Sequence, residues 1–229
     1  MTMPNRMQVI SDVERGDHYY ITPLHRCYFW GEYTPFEYTG GARFAYSTTN
    51  QLIGNFKKTM DRKGRPEWSH KTAAISKIAL ALSELWNWDA LRTNNVALVP
   101  VAPSKAKTDA MYDDRTVQVL RQLEQRVGFA LDIRDILSMD GKLVASHKNT
   151  GRASPEDLAA CMTVQYQNNA QANPPAAIML FDDVLTTGAH FVAASSKLTT
   201  IFPNVPIVGI FFARTCRPNP FEELPDFDM

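Results

Sequence analysis

Residues 177–189 read AIMLFDDVLTTGA, and this stretch decides the fold. Its first five residues, 177–181, form an apolar run with the length and density of a strand that is buried on both faces. Gly188 and Ala189 then open a helix-compatible segment that continues from His190 to Leu198. The sequence therefore predicts a strand, a polar turn and a helix, with two acids at the carboxyl end of the strand. In open α/β sheets, ligands bind at that end.

The polar residues of this stretch suit a phosphorylated sugar. Thr186 and Thr187 offer hydroxyl donors, and Gly188 permits a positive φ and a close approach of the backbone. The first N–H groups of a helix form a site for phosphate. Asp182 and Asp183 are neighbours on a strand end, so at least one should face the cleft and accept bonds from ribose hydroxyls or from Mg²⁺-bound water. We therefore predict a magnesium-assisted sugar phosphate site.

A plainer interpretation of the same string is an ordinary loop. In that case an aspartate or a threonine would cap the next helix through its side-chain oxygen. This interpretation is sufficient for the Asp-Asp pair or for Thr-Gly taken alone. The complete string, between a buried strand and a helix, favours the ligand site.

The segment from Ile178 to Ala189 resembles the phosphoribosyl diphosphate (PRPP) signature of type I phosphoribosyltransferases: an apolar strand, two acids, two variable residues and Thr-Gly. The likeness is to the ComF-like branch of competence proteins and its orphan relatives, and a weaker likeness in the correct order extends from about Leu52 to Arg214. The resemblance implies a doubly wound, mostly parallel α/β sheet. It also implies transfer of a phosphoribosyl group from PRPP, with magnesium and with release of diphosphate.

By this resemblance, Asp182 and Asp183 contact the ribose hydroxyls directly or through magnesium. The loop that wraps the 5′-phosphate corresponds to Thr186, Thr187, Gly188, Ala189 and His190. Two of its positions differ from relatives. Many members have Thr or Ser at the place of His190, whose ring either replaces the hydroxyl donor or crowds the phosphate. The 6-oxopurine salvage enzymes usually have Asp at the place of Thr186, which argues against that substrate class.

A second buried strand is predicted over residues 95–101, and residues 102–107 (APSKAK) turn away from it. Alone, such a turn is more often a solvated surface loop. Its position after a strand resembles the family's diphosphate loop. Ser104 would then give a hydroxyl to the leaving diphosphate, and Lys105 or Lys107 a positive charge.

Residues 146–152 (SHKNTGR) are polar and resemble the flexible loop of the family that closes over PRPP. There His147 or Arg152 would meet the diphosphate or the incoming nucleophile, although a lone surface histidine usually has no such role. Ser154 and Pro155 follow as a predicted helix start. In residues 112–115, Asp113 or Asp114 is expected only to cap a helix.

Composition indicates one enzyme-sized domain, since the 229 residues are 45% hydrophobic and 21% charged. Lys+Arg and Asp+Glu both number 24, so the net charge does not indicate nucleic acid as a partner. We expect a cytoplasmic protein because the start of the chain has no signal-peptide core and no apolar window reaches the length of a membrane span.

The cysteines are three, odd in number and far apart, which favours reduced thiols: Cys27, Cys161 and Cys216. Proteins of the ComF type carry an N-terminal zinc ribbon of paired cysteines. Here only Cys27, His18 and His25 lie in that region, so zinc with four protein ligands is not expected. This difference means that a role in DNA uptake does not follow from the resemblance.

Three regions are predicted along the chain. Residues 1–50 form a β-rich hood or appended segment, with short antiparallel strands over 17–48. Residues 51–217 form the α/β domain, and 218–229 an acidic tail that would dock on a neighbour or fray. Within the domain, the resemblance to ComF-like chains implies a helix at Gln51–Lys58. The apolar pattern predicts a long helix at Thr72–Leu91 and strands at Phe129–Leu137 and Pro206–Ala213.

The predicted activity is PRPP-dependent transfer to an acceptor that the sequence does not identify. Positioning and electrostatics would supply most of the rate. The alternative is a non-catalytic component that binds PRPP or a nucleotide and acts through a protein partner, for example in a defence or toxin system. For both functions, the sequence does not decide whether the chain forms a homo-oligomer.

Overall fold

The computed structural model describes residues 6–141, 153–165 and 173–217. Its strands are β1 Gln8–Val9, β2 Arg26–Tyr33, β3 Val96–Pro100, β4 Leu137–Met139, β5 Met162–Val164, β6 Ala177–Leu185 and β7 Ile207–Thr215. Its α-helices are α1 Thr48–Phe56, α2 Trp68–Leu85, α3 Trp88–Thr93, α4 Arg115–Val127, α5 Pro155–Cys161 and α6 Ala189–Ile201. Short 3-10 helices occur at Glu14–Asp17, Phe36–Tyr38, Arg43–Ala45 and Met60–Arg62.

A five-stranded sheet in the order β1-β2-β7-β6-β3 forms the centre of the molecule. β6 pairs in parallel with β3 on one side and with β7 on the other, and β7 pairs in parallel with β2. The two-residue edge strand β1 is antiparallel, and β4 and β5 form a separate antiparallel pair. The predicted α/β fold with a mostly parallel sheet is therefore confirmed.

Helices cover both faces of the sheet because strand residues alternate between two apolar cores. Ile178 and Leu180 of β6 join the core that includes α5 and α6. Met179 and Phe181 join the core that includes α1, α2 and α4. A strand whose two faces are both covered needs an unbroken apolar run, which is what residues 177–181 supply.

The structure does not confirm a separate N-terminal hood. β2 pairs in parallel with β7 from Arg26 to Tyr33, and antiparallel pairing within residues 6–50 is limited to β1 with β2. The reason is that Phe29 and Trp30 belong to opposite cores, so β2 is buried from both sides of the main sheet. The domain boundary at residue 50 stays a prediction, and the tail 218–229 lies outside the described residues.

Two other predicted elements have different bounds, and a third is confirmed. The long helix Thr72–Leu91 is two helices, α2 and α3, and the Asn87 side chain caps the second by accepting from Ala90 N at 3.0 Å. The strand predicted for Phe129–Leu137 is limited to β4 and to one bridge between Ile133 and Leu98. The helix start at Ser154 is confirmed, with a capping box between Ser154 and Asp157.

The connections that follow β3 and β6 leave the sheet toward opposite faces. The chain after β3 leads to α4 on one face, whereas the chain after β6 leads to α6 on the other. A crevice opens between two such connections at the carboxyl edge of the sheet. This topology creates the place for a binding site.

Across the described ranges, no helix is both long enough and apolar enough to cross a membrane.

Replacing Leu180 with alanine should lower the free energy of unfolding by about 2–5 kcal/mol, because Leu180 is fully buried in the central strand. The matched control is Leu80→Ala, since the Leu80 side chain on α2 is 44% exposed. Urea unfolding followed by circular dichroism measures both. Equal losses in the two variants would contradict the assignment of β6 to the core.

Candidate functional site

A cavity of about 280 Å³ lies in the crevice between the connections that follow β3 and β6. Its lining contains residues of both connections, the start of α4 and Lys57 just after α1. Six predicted site residues line it: Ser104, Asp182, Asp183, Thr186, Gly188 and His190. The sequence thus identified one side of this cavity.

Both acids lie within β6 rather than at its end, because β6 continues to Leu185. On one side, β7 remains paired with this part of β6, with Val184 opposite Ala213. On the other side, the pairing with β3 ends earlier, since its last pair joins Pro100 to Phe181. β6 therefore extends past β3 by four residues, 182–185, and the acids occupy the part of the strand that faces the crevice instead of a neighbour.

Asp183 is held by two cations from distant parts of the chain. Lys57 Nζ lies 3.1 Å from Asp183 Oδ1, and an Arg115 Nη2 donor contacts Asp183 Oδ2. Only 6% of Asp183 is exposed. Burial alone would raise its pKa, but the charges of Lys57 and Arg115 outweigh burial and hold the pKa well below its usual range. Asp183 is therefore an ionised carboxylate in the folded protein.

The network continues through Asp113 to a buried lysine. Asp113 Oδ2 accepts from Arg115 Nη1 and from Lys71 Nζ, both at 2.7 Å. Lys71 is 1% exposed and also donates to the backbone carbonyls of Phe56 and Lys58 at 2.9 and 2.8 Å. Burial lowers the pKa of Lys71, and Asp113 offsets part of that effect. Cationic and acidic side chains thus alternate in one network that runs from Lys71 on α2 to Asp183 on β6.

Asp182 has the opposite character. Its Oδ1 accepts from the backbone N–H of Asp183 at 2.7 Å, and its side chain lines the cavity. Burial, followed by the negative charge of Asp183, raises the pKa of Asp182 to about 7. One acid is therefore fixed as an anion, while the other can exchange a proton near neutral pH.

The loop between β6 and α6 is held by the N-terminal segment. His18 is fully buried and its Nδ1 contacts the backbone carbonyl of Thr186, and Tyr20 N donates to Thr187 O at 3.0 Å. Gly188 has φ +90°, and a Cβ there would lie 2.6 Å from the side chain of Ile21. Only glycine meets both conditions.

The other predicted residues are placed differently. Thr187 and Ala189 are buried and do not line the cavity. Lys105 pairs with Asp109 at 3.8 Å, and Lys107 pairs with Asp135 at 2.8 Å. Lys105 lines a smaller adjoining cavity of about 180 Å³. His147 and Arg152 lie outside the described residues.

His190 lies in the first turn of α6 and lines the cavity. Burial lowers the pKa of its ring, with the charge of Asp183 acting in the opposite direction. The neutral ring can donate one hydrogen bond toward the cavity.

Sequence reasoning missed the cations that bind the acids. Lys57 begins a basic run of a kind that is ordinarily a solvated loop. The expectation that Asp113 or Asp114 caps a helix was wrong: Asp114 precedes α4 without a side-chain cap, and Asp113 lies in the buried network. A signal did exist for Lys71, which continues the buried stripe of α2 at helical spacing with Ile75 and Ile78. A lysine at such a position requires a buried partner.

No group of three or more histidine, cysteine or acidic side chains suited to a metal occurs among the described residues. The two carboxylates of β6 fit a different arrangement. Magnesium is commonly bound by one or two carboxylates together with waters and the phosphates of a substrate. Asp182, which lines the cavity and is not part of an ion pair in the described structure, is the acid suited to it.

Replacing Lys71 with methionine should destabilise the fold by about 3–5 kcal/mol, since two carbonyls lose their buried donor and the Asp113 carboxylate keeps only Arg115 as its partner. Lys77→Met is the matched control, because Lys77 is exposed on the same helix. Thermal and urea unfolding would measure the difference. If the two variants were equally stable, the buried network would not be a determinant of the fold.

Comparison with known proteins gives little further information. No family model and no curated protein sequence matches the chain significantly. Among solved structures, it is similar to a hypoxanthine phosphoribosyltransferase from Staphylococcus aureus, with 13% identity over 64% of this chain and 75% of that chain. The TM-score is 0.33, a likeness that assigns no function to this chain.

Proposed function

We propose that the chain binds PRPP with magnesium and transfers its phosphoribosyl group to an acceptor, with release of diphosphate. The observation that carries the proposal is the convergence of an acid pair and a helix N-terminal loop on one cavity at the carboxyl edge of a parallel sheet. A phosphorylated ribose has a hydroxyl face and an anionic end, and these two features of the cavity match them.

The 5′-phosphate would bind at the loop before α6. This helix has 13 residues, and its first backbone N–H groups carry a partial positive charge. Thr186 is exposed on the loop and offers a hydroxyl, and His190 offers a ring N–H from the first turn. Contacts from His18 and Tyr20 fix the loop backbone before any ligand arrives, which lowers the entropic cost of binding.

The ribose hydroxyls would face the acids of β6. Asp182 is the acid suited to accept from a hydroxyl or to bind magnesium, because Asp183 is already paired with two cations. Magnesium, when bound, would neutralise charge on the diphosphate.

The diphosphate would leave toward Lys57 and Arg115. In the transfer, the bond between C1 of the ribose and the diphosphate oxygen breaks, its electron pair leaves with the diphosphate, and a new bond forms from the acceptor to C1. Both cations line the cavity beside Asp183. Although burial acts against it, the charges of Asp183 and Asp113 raise the pKa of Arg115, so its guanidinium stays charged. The sequence-based alternative is that Lys105 or Lys107 provides the positive charge for the leaving diphosphate.

A second function is favoured by the pairing of Asp183 with Lys57 and Arg115. If these ion pairs persist when PRPP or a nucleotide binds, the chain would act as a regulatory component with a protein partner. Release of diphosphate from Mg·PRPP across a panel of acceptors separates the two. Turnover supports the enzyme, whereas binding without turnover, together with a co-purified partner, supports the regulatory component.

Replacing Asp182 with asparagine should weaken Mg·PRPP binding by about tenfold or more at pH 8, because the amide keeps the shape but removes the charge that attracts magnesium. Titration calorimetry measures the change.

Asp182 is a more specific target than Asp183, whose replacement would also remove the partner of Lys57 and Arg115. Asp89→Asn is the control, since Asp89 is an exposed acid on α3, which precedes the amino end of β3. Equal affinity in all three proteins would refute the role of Asp182.

The affinity of the wild-type protein for Mg·PRPP should increase by about tenfold between pH 6 and pH 8. The pKa of Asp182 is raised to about 7, so protons compete with the cation below that pH and leave the site above it. The phosphates of PRPP titrate in the same range, so the test is the difference between the wild type and Asp182→Asn. An identical pH dependence in both would exclude Asp182 as the titrating group.

A further inference from the structure

A second cavity, of about 460 Å³, adjoins the candidate site and shares Lys57 with it. We propose that this cavity binds a small planar aromatic molecule with an anionic substituent. Its volume lies within the range of about 300–1,000 Å³ that small-molecule sites occupy. This proposal does not depend on which ligand the first cavity binds.

The cavity has an aromatic wall. Phe36 and Phe44 meet edge to face with ring centroids 4.9 Å apart, and Tyr33 lies against Phe36 at 6.3 Å. All three rings line the cavity together with Ile53. Rings in such arrangements offer faces and edges on which another planar ring can pack.

This wall depends on local features that each oppose stability. Phe44 is 49% exposed, although exposing a large apolar ring is unfavourable. Gly54 lies inside α1, where glycine costs about 1 kcal/mol relative to alanine, and a Cβ there would lie 2.1 Å from the Phe44 ring. Arg43, directly before Phe44, has φ +46°. Unfavourable local choices that converge on one place are expected at functional sites.

The rim of the cavity is cationic. Lys57, Lys58 and Arg62 line it, against a single acid, Glu67. Arg62 reaches Glu67 at 3.6 Å and Asp61 at 3.4 Å, which are long ion pairs at exposed side chains. Such pairs are weak, so they are easily exchanged for a ligand. Lys57 is paired with Asp183, whereas Lys58 Nζ donates to the neutral Asn55 Oδ1 at 3.1 Å. Lys58 and the weakly paired Arg62 therefore favour a carboxylate or another anion on the ring.

Lys57 connects this cavity with the acid pair. Its side chain is 45% exposed and lies between the aromatic wall and Asp183. The small cavity that Lys105 lines also includes Lys57, and it borders Asp113 and Arg115. A ligand in this cavity would therefore lie beside the proposed phosphoribosyl site.

Three probes separate the contributions of the ring and the charge: indole-3-carboxylate, indole, and cyclohexanecarboxylate. Calorimetric or NMR titration is done without PRPP or magnesium, so its outcome does not depend on the proposed transferase function. We expect indole-3-carboxylate to bind with a Kd about tenfold lower than either of the other two, because only it has both the ring and the anion.

Phe44→Ala should raise the Kd for indole-3-carboxylate about tenfold. Gly54→Ala should also raise it, because the added Cβ displaces the ring without removing it. Tyr46→Ala is the matched control: Tyr46 is two residues away and 47% exposed, yet it does not line the cavity. Arg62→Gln should weaken binding of indole-3-carboxylate and leave indole unaffected. Thermal unfolding verifies that each variant is folded.

Two results would overturn the proposal. One is a Kd for indole-3-carboxylate weaker than about 10 mM in the folded wild type. The other is equal affinity in Phe44→Ala and Tyr46→Ala, which would place the probe elsewhere on the surface.

Discussion

The ion pairs of Asp183 with Lys57 and Arg115 are the constraint on which the rest of the structure depends. A buried carboxylate without a partner is too costly to persist, so both cations must reach the carboxyl edge of β6. That requirement fixes the end of α1 and the start of α4 next to the central strand. Asp113 extends it to Lys71 and thereby to α2. The same network forms one wall of the cavity.

The electrostatic difference between the two adjacent acids follows from this arrangement. Asp183 receives both cations and stays ionised, while Asp182 is desolvated beside a fixed negative charge and holds its proton up to about neutral pH. Neighbouring groups whose environments separate their pKa values are characteristic of sites that bind cations or exchange protons. Of these two neighbouring positions on β6, 183 therefore carries the structural acid and 182 carries the acid that is available to a ligand.

Two predictions from sequence succeeded and one failed for physical reasons that can be stated. The apolar run 177–181 predicted a doubly covered strand because alternating side chains must enter two cores. The helix start predicted at Ser154 succeeded because the bonds of its capping box are local. The prediction of short antiparallel strands over residues 17–48 is wrong: this range contains a single strand, β2, because β propensity specifies neither a partner nor its direction. β2 therefore joined β7, which is about 180 residues away.

The sequence by itself determined the order of strand, turn and helix around residues 177–189, since hydrophobic period and glycine placement are local properties. It also placed the acids and the loop on one edge of the sheet. Only the tertiary structure decided which cations meet those acids: Lys57 and Asp183 are 126 residues apart, and Arg115 and Asp183 are 68 apart. Pairing between buried charges is set by the packing of helices against strands, and no short pattern in the chain encodes that distance.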